Sequence, residues 1–236
     1  MDNDKIHIIG EDVNHIKNVL RYRVGDELDV CDELQKRFFT KIESMSNDEI
    51  ILDIIDISFD TTESSVKIAL YQGLPKSDKM DFIVQKCTEL GVSRFVPILT
   101  DRVIVKIDDK NGSKKVERWG RIAEEAAKQS GRQVVPIVEN INKLENIVEN
   151  LSKYDIVIVP YECEKDDTLK SIIQKHTGMV KSIAVVIGPE GGFSEKDIDI
   201  LEKSCDIEKV SLGKRILRTE TAGMATVSML LYEYEL

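Results

Sequence analysis

The sequence predicts an α/β fold preceded by a small β-rich unit. From about residue 66, apolar runs of strand length alternate with stretches of helical periodicity, which is the pattern of an α/β domain. Ile183–Ile187 is an unbroken apolar run, typical of a strand buried on both faces of a parallel sheet. Before residue 66, β-branched or alternating runs follow one another closely and favour a small barrel. We therefore expect two domains, residues 1–70 and residues 71–236.

Length and composition are those of an ordinary globular protein. The 236 residues suffice for one large or two modest domains, and 42% of them are hydrophobic and 32% charged. No apolar run is long enough to cross a bilayer, and the first residues lack the basic and apolar regions of a signal peptide, so a cytoplasmic protein is expected. The four cysteines and three histidines are scattered without metal-ligand spacing, which favours free thiols over a metal site or disulfides.

The charge distribution restricts where a nucleic acid could bind. The net charge of −10 argues against a polyanionic partner unless cationic residues are locally concentrated. Acidic residues outnumber basic ones 16 to 8 before residue 71, and 27 to 25 after it. Contact between RNA and the N-terminal unit is therefore expected only at a confined face near Arg21, Arg23, Lys36 and Arg37.

The elements of the N-terminal unit are short. HIKNVL is predicted as a short helix, because its apolar residues recur at helical spacing. The predicted strands are IHII, ELDVCD, RFFTKIESM, EIILDIIDIS and SVKIAL, and polar turns separate them.

The elements of the second domain alternate along the chain. Ser77 is predicted to cap a helix that ends at Gly91, because serine accepts hydrogen bonds from helix N–H groups and glycine adopts positive φ. Pro97 suits an edge or the end of its strand, since proline cannot donate to the ladder. NGSKK is predicted as a polar connection. Strands are predicted at VKIALYQG, RFVPIL, DIVIVP and IAVVI, and helices at 118–129, 143–151 and 168–176.

Two glycine-bearing loops follow strands near the end of the chain. GPEGG (188–192) follows Ile183–Ile187, and Ser194 with Asp197 gives the capping-box signature of the next helix. The second loop, around residues 212–217, follows a strand predicted at 209–212 and leads into a helix rich in small residues. We expect these two strands to be neighbours, so that both loops lie where open α/β sheets bind their ligands.

GPEGG differs from phosphate-binding loops. It lacks the GxGxxG spacing, and no GxxxxGKS or GxxxxGKT string occurs in the chain. Glu190 would repel a pyrophosphate, so the loop favours a neutral or cationic ligand held by backbone groups. An adenosine bearing a sulfonium fits, because apolar residues such as Leu212, Ile216 and Leu217 can enclose its ring. A tight turn that only joins two layers is the alternative.

Four strings resemble the RsmE family, which methylates N3 of a uridine in 16S ribosomal RNA: KCTELGVSRFVP, RIAEEAAKQSGRQVVP, IGPEGGFSEKDI and LGKRILRTETAGM. HIKNVLRYRVGDEL, further upstream, is similar to the PUA-like RNA-binding barrel of that family. The resemblance covers nearly the whole chain in the same order. It implies a SPOUT-type methyltransferase domain with a C-terminal trefoil knot, a homodimer, and S-adenosylmethionine as cofactor.

The resemblance also implies which residues act. Arg218 is the expected catalytic residue, because a guanidinium directed at a uracil carbonyl stabilises the anion formed as N3 loses its proton. Glu220 is either the proton acceptor or a carboxylate that favours the helix dipole. RNA contacts are expected from Arg21, Arg23, Gln129, Ser130, Arg132 and Arg215, although the residues near 130 also suit an ordinary helix end. The expected cofactor residues are Pro160, Tyr161, Glu162, Ile187, Gly188, Pro189, Glu190, Gly191, Gly192, Leu212, Gly213, Ile216 and Leu217.

Two other functions remain open from the sequence. A methyltransferase of the same fold could act on a ribose 2′-hydroxyl, which would require a deprotonated hydroxyl instead of an imide. A non-catalytic RNA-binding protein that assists ribosome assembly would retain the RNA contacts without binding the cofactor.

Overall fold

The structure is a computed structural model that describes residues 5–32, 36–104, 109–176 and 178–235. Its internal contacts divide the chain into two units, Met1–Thr62 and Glu63–Leu236. Strand β5 (Lys67–Gly73) is a central strand of the second unit. The boundary expected at residue 70 therefore falls inside this strand.

The first unit is an antiparallel sheet of four strands in the order β1-β4-β3-β2, with β1 and β2 at its edges over the described residues. The predicted helix is confirmed: α1 (Glu11–Asn14) continues as a π-helical segment, His15–Val19. The predicted run SVKIAL belongs instead to β5 of the second unit. The strands are β1 (Lys5–Ile9), β2 (Glu27–Cys31), β3 (Arg37–Met45) and β4 (Glu49–Ser58).

The second unit is built on a parallel sheet, as the apolar runs predict. Its strand order is β11-β9-β10-β5-β6-β7, with β8 pairing with β6 next to β7. The remaining strands are β6 (Arg94–Leu99), β7 (Ile137–Val138), β8 (Asn142–Lys143), β9 (Ile156–Pro160), β10 (Ser182–Ile187) and β11 (Glu208–Val210).

Helices cover both faces of this sheet. Alternation along β5 directs Ile68 and Leu70 into one core, and Ala69 and Tyr71 into the other. Helices α2, α3, α5 and α7 contribute to the first core, and α4 and α6 to the second. The helices are α2 (Lys79–Leu90), α3 (Asp109–Ser130), α4 (Leu144–Leu151), α5 (Leu169–Lys175), α6 (Glu195–Ser204) and α7 (Thr219–Glu235).

Local signals predicted some element ends correctly and others wrongly. Gly91 ends α2 with a φ of 113°, and Ser194 with Asp197 forms the predicted capping box of α6. Ser77 does not cap α2, because it has a φ of 56° and the helix begins at Lys79. NGSKK is helical, since α3 begins at Asp109. The predicted segment DRVIVKIDD lies partly outside the described residues.

Pro97 lies within β6, and the sheet accommodates it through a break in the neighbouring strand. β7 pairs with Arg94 and Phe95, whereas β8 pairs with Ile98 and Leu99. Pro97 stands between these two pairings, so its missing N–H interrupts no continuous ladder on that side.

The strands that precede the two glycine-bearing loops are not neighbours, which corrects the sequence prediction. β9 lies between β10 and β11 and pairs with both. Three adjacent strands therefore direct their carboxyl ends to one edge, where ligands of open α/β sheets bind. The trefoil knot implied by the resemblance stays a prediction.

Candidate active site

A cleft of about 670 Å³ opens at the carboxyl ends of β9, β10 and β11. Segments that follow these three strands line it, and we call it the three-loop cleft. They are residues 160–163, 187–193 except 191, and 210–219. Its volume is in the range of small-molecule sites. It brings together every residue expected to bind the cofactor except Gly191, whose carbonyl instead accepts a hydrogen bond from Arg102 at 2.8 Å.

The GPEGG loop packs closely against the end of β5 and against its own backbone. A Cβ on Gly73 would lie 2.6 Å from the backbone N of Pro189, and one on Gly188 would lie 3.0 Å from the carbonyl carbon of Gly192. Gly192 itself has a φ of 67°. The loop therefore lies tightly against the end of β5, and four of its residues, 188–190 and 192, line the cleft.

The apolar part of the cleft suits an adenosyl group. Leu212, Ile216 and Leu217 line it, and the side chain of Ile216 is 85% exposed. A large apolar side chain in this position gains from burial against an apolar ligand surface. Together with the close-packed backbone of GPEGG, these walls fit S-adenosylmethionine.

The negative charge of Glu190 is balanced by Lys79, whereas the sequence suggested an unpaired carboxylate. Its side chain accepts hydrogen bonds from Lys79 Nζ at 2.8 Å and from the backbone N of Lys76 at 3.1 Å. Burial alone would raise the pKa of Glu190, but these hydrogen bonds outweigh it and hold the pKa below its usual value. Glu190 thus fixes the loop and provides little net charge for a sulfonium.

Glu220 also approaches Lys79. Its Oε2 lies 3.7 Å from Lys79 Nζ and is buried without a hydrogen-bond donor among the described residues. Whereas Arg218 and Thr219 line the cleft, Glu220 is not among its lining residues. The lysine therefore links the GPEGG loop to the first turn of α7.

A chain of hydrogen bonds makes a second link between the same two segments. Thr219 Oγ1 donates to the carbonyl of Gly188 at 2.6 Å and accepts from Gln72 Nε2 at 2.9 Å. Gln72 is fully buried, and its Oε1 has no hydrogen-bond donor among the described residues. Leaving a buried acceptor unsatisfied costs about 1–3 kcal/mol, so Gln72 stands out in this core.

Among the described residues, five cationic residues and three glutamates line the cleft, and three of the cations follow β11. Lys214, Arg215 and Arg218 are exposed and line it, and their side chains make no ion pair with a described residue. The rim of the cleft is thus locally cationic in a protein with a net charge of −10. Such local density, and not net charge, governs the approach of a polyanion.

The residues predicted to contact RNA near the end of α3 differ in exposure: Gln129 and Ser130 are exposed, whereas the side chain of Arg132 is buried. The guanidinium of Arg132 forms an ion pair with Glu63 at 2.5 Å, and both side chains are only 5% exposed. Arg132 also donates to the carbonyls of Thr88 and Val92. The predicted RNA contact of Arg132 is therefore corrected to an internal one. Ser130 Oγ donates to Ala126 O within α3, and Gln129 is exposed.

Arg21 and Arg23 lie on the first unit, where the sequence predicted RNA contacts. Both are exposed, and neither guanidinium is paired with a residue of the described ranges. Arg21 has a φ of 62°, in the left-handed region that residues other than glycine seldom occupy. The backbone therefore holds Arg21 in an uncommon conformation at a surface position.

The sequence missed Lys79, Arg102, Thr219 and Gln72. Lys79 follows the carboxyl end of β5, which is the same edge of the sheet as the three loops. That position was the available signal, because functional residues gather at this edge.

Over the described residues, no cluster of His, Cys, Asp or Glu is arranged to hold a metal ion. No helix that the structure describes is both long and apolar enough to span a bilayer.

Comparisons with known proteins agree with this geometry. Residues 62–231 match the family of RNA methyltransferase domains, and residues 8–55 match the family of RNA methyltransferase PUA domains. The fold and the cleft thus define an RNA methyltransferase of the SPOUT type with an N-terminal PUA domain.

Individual relatives narrow the class. Ribosomal RNA small subunit methyltransferase E of Bacillus subtilis (strain 168) is 37% identical to the chain, over 97% of the chain and 90% of the relative. The crystal structure of a ribosomal RNA small subunit methyltransferase E from Neisseria gonorrhoeae bound to S-adenosyl methionine matches with a TM-score of 0.85. It is 29% identical and covers 98% of this chain and 92% of its own. The chain belongs to the ribosomal RNA small subunit methyltransferase E family, as its motifs indicated.

Proposed function

We propose that this protein transfers a methyl group from S-adenosylmethionine to N3 of a uridine in 16S rRNA. The observation that carries the proposal is the guanidinium of Arg218, exposed and without an ion pair among the described residues, at the rim of the three-loop cleft. The relatives' names and the cofactor in the Neisseria structure support the substrate and the cofactor.

The proposed chemistry centres on the nucleophile. S-adenosylmethionine supplies a methyl group on a sulfonium, whose departure as a neutral thioether needs no general acid. Uracil N3 carries a proton between two carbonyls and attacks only as that proton leaves. An arginine guanidinium at this position stabilises the developing anion through a uracil carbonyl without giving up a proton, and the N3 proton passes to solvent water.

Glu220 and Glu190 have supporting roles in this proposal. Glu220 lies beside Lys79 and does not line the cleft, so we assign it to holding the start of α7 and not to accepting the N3 proton. Glu190 holds the opposite side of the same lysine. A carboxylate at the first turn of α7 also interacts favourably with the helix dipole.

Two measurements on the purified protein test the proposed reaction. Calorimetry with S-adenosylmethionine is expected to show binding, whereas a protein that only binds RNA would give no heat. Digestion of 16S rRNA methylated by the enzyme is expected to yield 3-methyluridine. A ribose-methylated nucleoside in its place would move the protein to the 2′-hydroxyl class, and no methylated product would remove the proposal.

Arg21 and Arg23 are proposed to contact RNA phosphates. Replacing both with alanine is expected to weaken RNA binding and to reduce the slope of log K against log salt by about 2, because each phosphate contact contributes about 1. Filter binding across a salt series measures the slope. Lys41→Ala, which removes an exposed cation of β3 in the same unit, is the control. An unaltered slope in the double variant would place the RNA site elsewhere.

We also propose a homodimer in the cytoplasm that uses the exposed side of α7. Met229 is 42% and Tyr232 is 70% exposed, and both border a groove of about 360 Å³ between α5 and α7. Leu230, on the same helix, is fully buried and belongs to the core. Sedimentation equilibrium tests the dimer, since a mass of 26.8 kDa would identify a monomer.

A further inference from the structure

Gln72 occupies a position where folding alone favours an apolar residue. It lies on β5, between β10 and β6, and none of its surface is exposed. A buried amide is costly unless its polar atoms are paired. Its Nε2 donates to Gly73 O and to Thr219 Oγ1, both at 2.9 Å, but its Oε1 accepts no hydrogen bond from the described residues. The side chain is thus only half satisfied.

Gln72 is connected to the cleft by two successive hydrogen bonds, each donated in the direction of the cleft. Thr219 has a single hydroxyl proton, which it donates to the carbonyl of Gly188 at 2.6 Å. Its oxygen is then free to accept from Gln72 Nε2. These hydrogen bonds therefore join three segments: the end of β5, the GPEGG loop, and the first residue of α7. Gly188 and Thr219 line the cleft, whereas Gln72 lies behind it.

This series of hydrogen bonds also determines the position of Arg218. Arg218 immediately precedes Thr219, and its guanidinium has no ion pair within the described ranges that would hold it. Its direction therefore depends on the position of its backbone, which Thr219 fixes against the loop. A displacement of about 1 Å in a reacting group can lower a rate by about 10²-fold.

We propose that Gln72 is a positioning residue: through the hydroxyl of Thr219 it holds the backbone at Arg218 and the carbonyl of Gly188 in register for methyl transfer. This inference rests on the proposed function. It accounts for the presence of an incompletely satisfied amide in the core, because an apolar side chain would fill the same space without orienting Thr219. Stability given up at one residue in favour of activity is a recurrent feature of functional sites.

A purely structural role and a positioning role predict different outcomes for Gln72→Met, which keeps the unbranched shape and removes the amide. If the amide only stabilises the core, the variant should unfold at a lower temperature and keep its turnover per folded molecule. If the amide positions the site, the thermal midpoint should hold or rise, because the unsatisfied Oε1 is gone. In that case kcat should fall by about tenfold, with the KM for S-adenosylmethionine changed by less than about threefold.

Thr219 provides the second arm of the test. Thr219→Val removes the hydroxyl at nearly constant volume and is expected to lower kcat as much as Gln72→Met, whereas Thr219→Ser should recover most of the loss. The double variant should be no worse than either single variant, because both interrupt one chain. Thr226→Val is the matched control: Thr226 is also a buried threonine of α7, but its hydroxyl donates only to Ala222 O within the helix.

The experiment uses full-length protein, 16S rRNA and radiolabelled S-adenosylmethionine, with the thermal midpoint of each variant measured alongside. A selective fall in kcat for Gln72→Met and Thr219→Val, with rescue by Thr219→Ser, supports the inference. Turnover equal to that of Thr226→Val, or a lowered midpoint with unchanged turnover per folded molecule, overturns it while leaving the proposed function intact. An inactive wild-type protein would overturn both.

Discussion

Arg218→Ala is expected to lower kcat by about 10²- to 10³-fold, the usual effect of removing one group that stabilises a developing anion. The affinity for S-adenosylmethionine should change by only a few fold, because the apolar walls and the glycine loop make the proposed contacts with the adenosyl group. Single-turnover methylation and calorimetry measure the two quantities separately.

Two further variants sharpen this test of Arg218. Arg218→Lys keeps the charge but loses the planar fork, so an intermediate rate is expected if geometry matters as well as charge. Arg121→Ala removes an exposed arginine of α3 that pairs with Glu117 and should leave kcat unchanged. Unchanged turnover in Arg218→Ala would remove this residue from the mechanism, and loss of cofactor binding would make it a binding residue.

Arg132→Ala is expected to destabilise the second unit by about 3–5 kcal/mol, because it leaves a buried carboxylate without its partner. The side chains of Glu63 and Arg132 are each 5% exposed, and the carbonyls of Thr88 and Val92 each lose the hydrogen bond from the guanidinium. Denaturant unfolding followed by tryptophan fluorescence measures the loss. Trp119 is the single tryptophan of the chain and is buried in the core of this unit.

Paired variants separate the ion pair from the general effect of removing an arginine. Replacing both partners with apolar residues, Arg132→Met with Glu63→Leu, should recover part of the stability, because no charge remains buried. Arg121→Ala breaks an exposed pair and should cost at most about 0.5 kcal/mol. A loss for Arg132→Ala as small as for Arg121→Ala would contradict a stabilising role of the internal ion pair.

Sequence patterns predicted those features that depend on neighbouring residues. The capping box of α6 and the left-handed stop at Gly91 are decided within a few residues, and both appear as expected. The glycines of GPEGG were predicted to form a ligand loop for the same reason, and residues 188–190 and 192 line the cleft, while their contact with a ligand stays a prediction. The start of α3 was missed because glycine and serine favour a loop, whereas packing around Trp119 favours the helix.

Features that join distant segments could not be predicted in the same way. Lys79 meets Glu190, and Arg132 meets Glu63, only after the sheet has assembled. The same holds for the insertion of β9 between the strands that carry the two loops. Arg132 was expected to contact RNA because its string resembles that of the family, and nothing near Arg132 in the chain indicates its acidic partner.

The position of β10 in the sheet has a consequence for how the protein is made. β10 lies between β9 and β5, and it pairs Ser182 with Lys67 and Ile183 with Ile156. β5 and β9 are therefore synthesised before the strand that pairs with both of them. Until β10 leaves the ribosome, the edges of β5 and β9 that pair with it have unpaired backbone groups, and the GPEGG loop that follows β10 is absent from the cleft. Insertion of β10 therefore joins β9 to β5, and the site is completed only when β11 and Arg218, which follow β10 in the chain, have also been made.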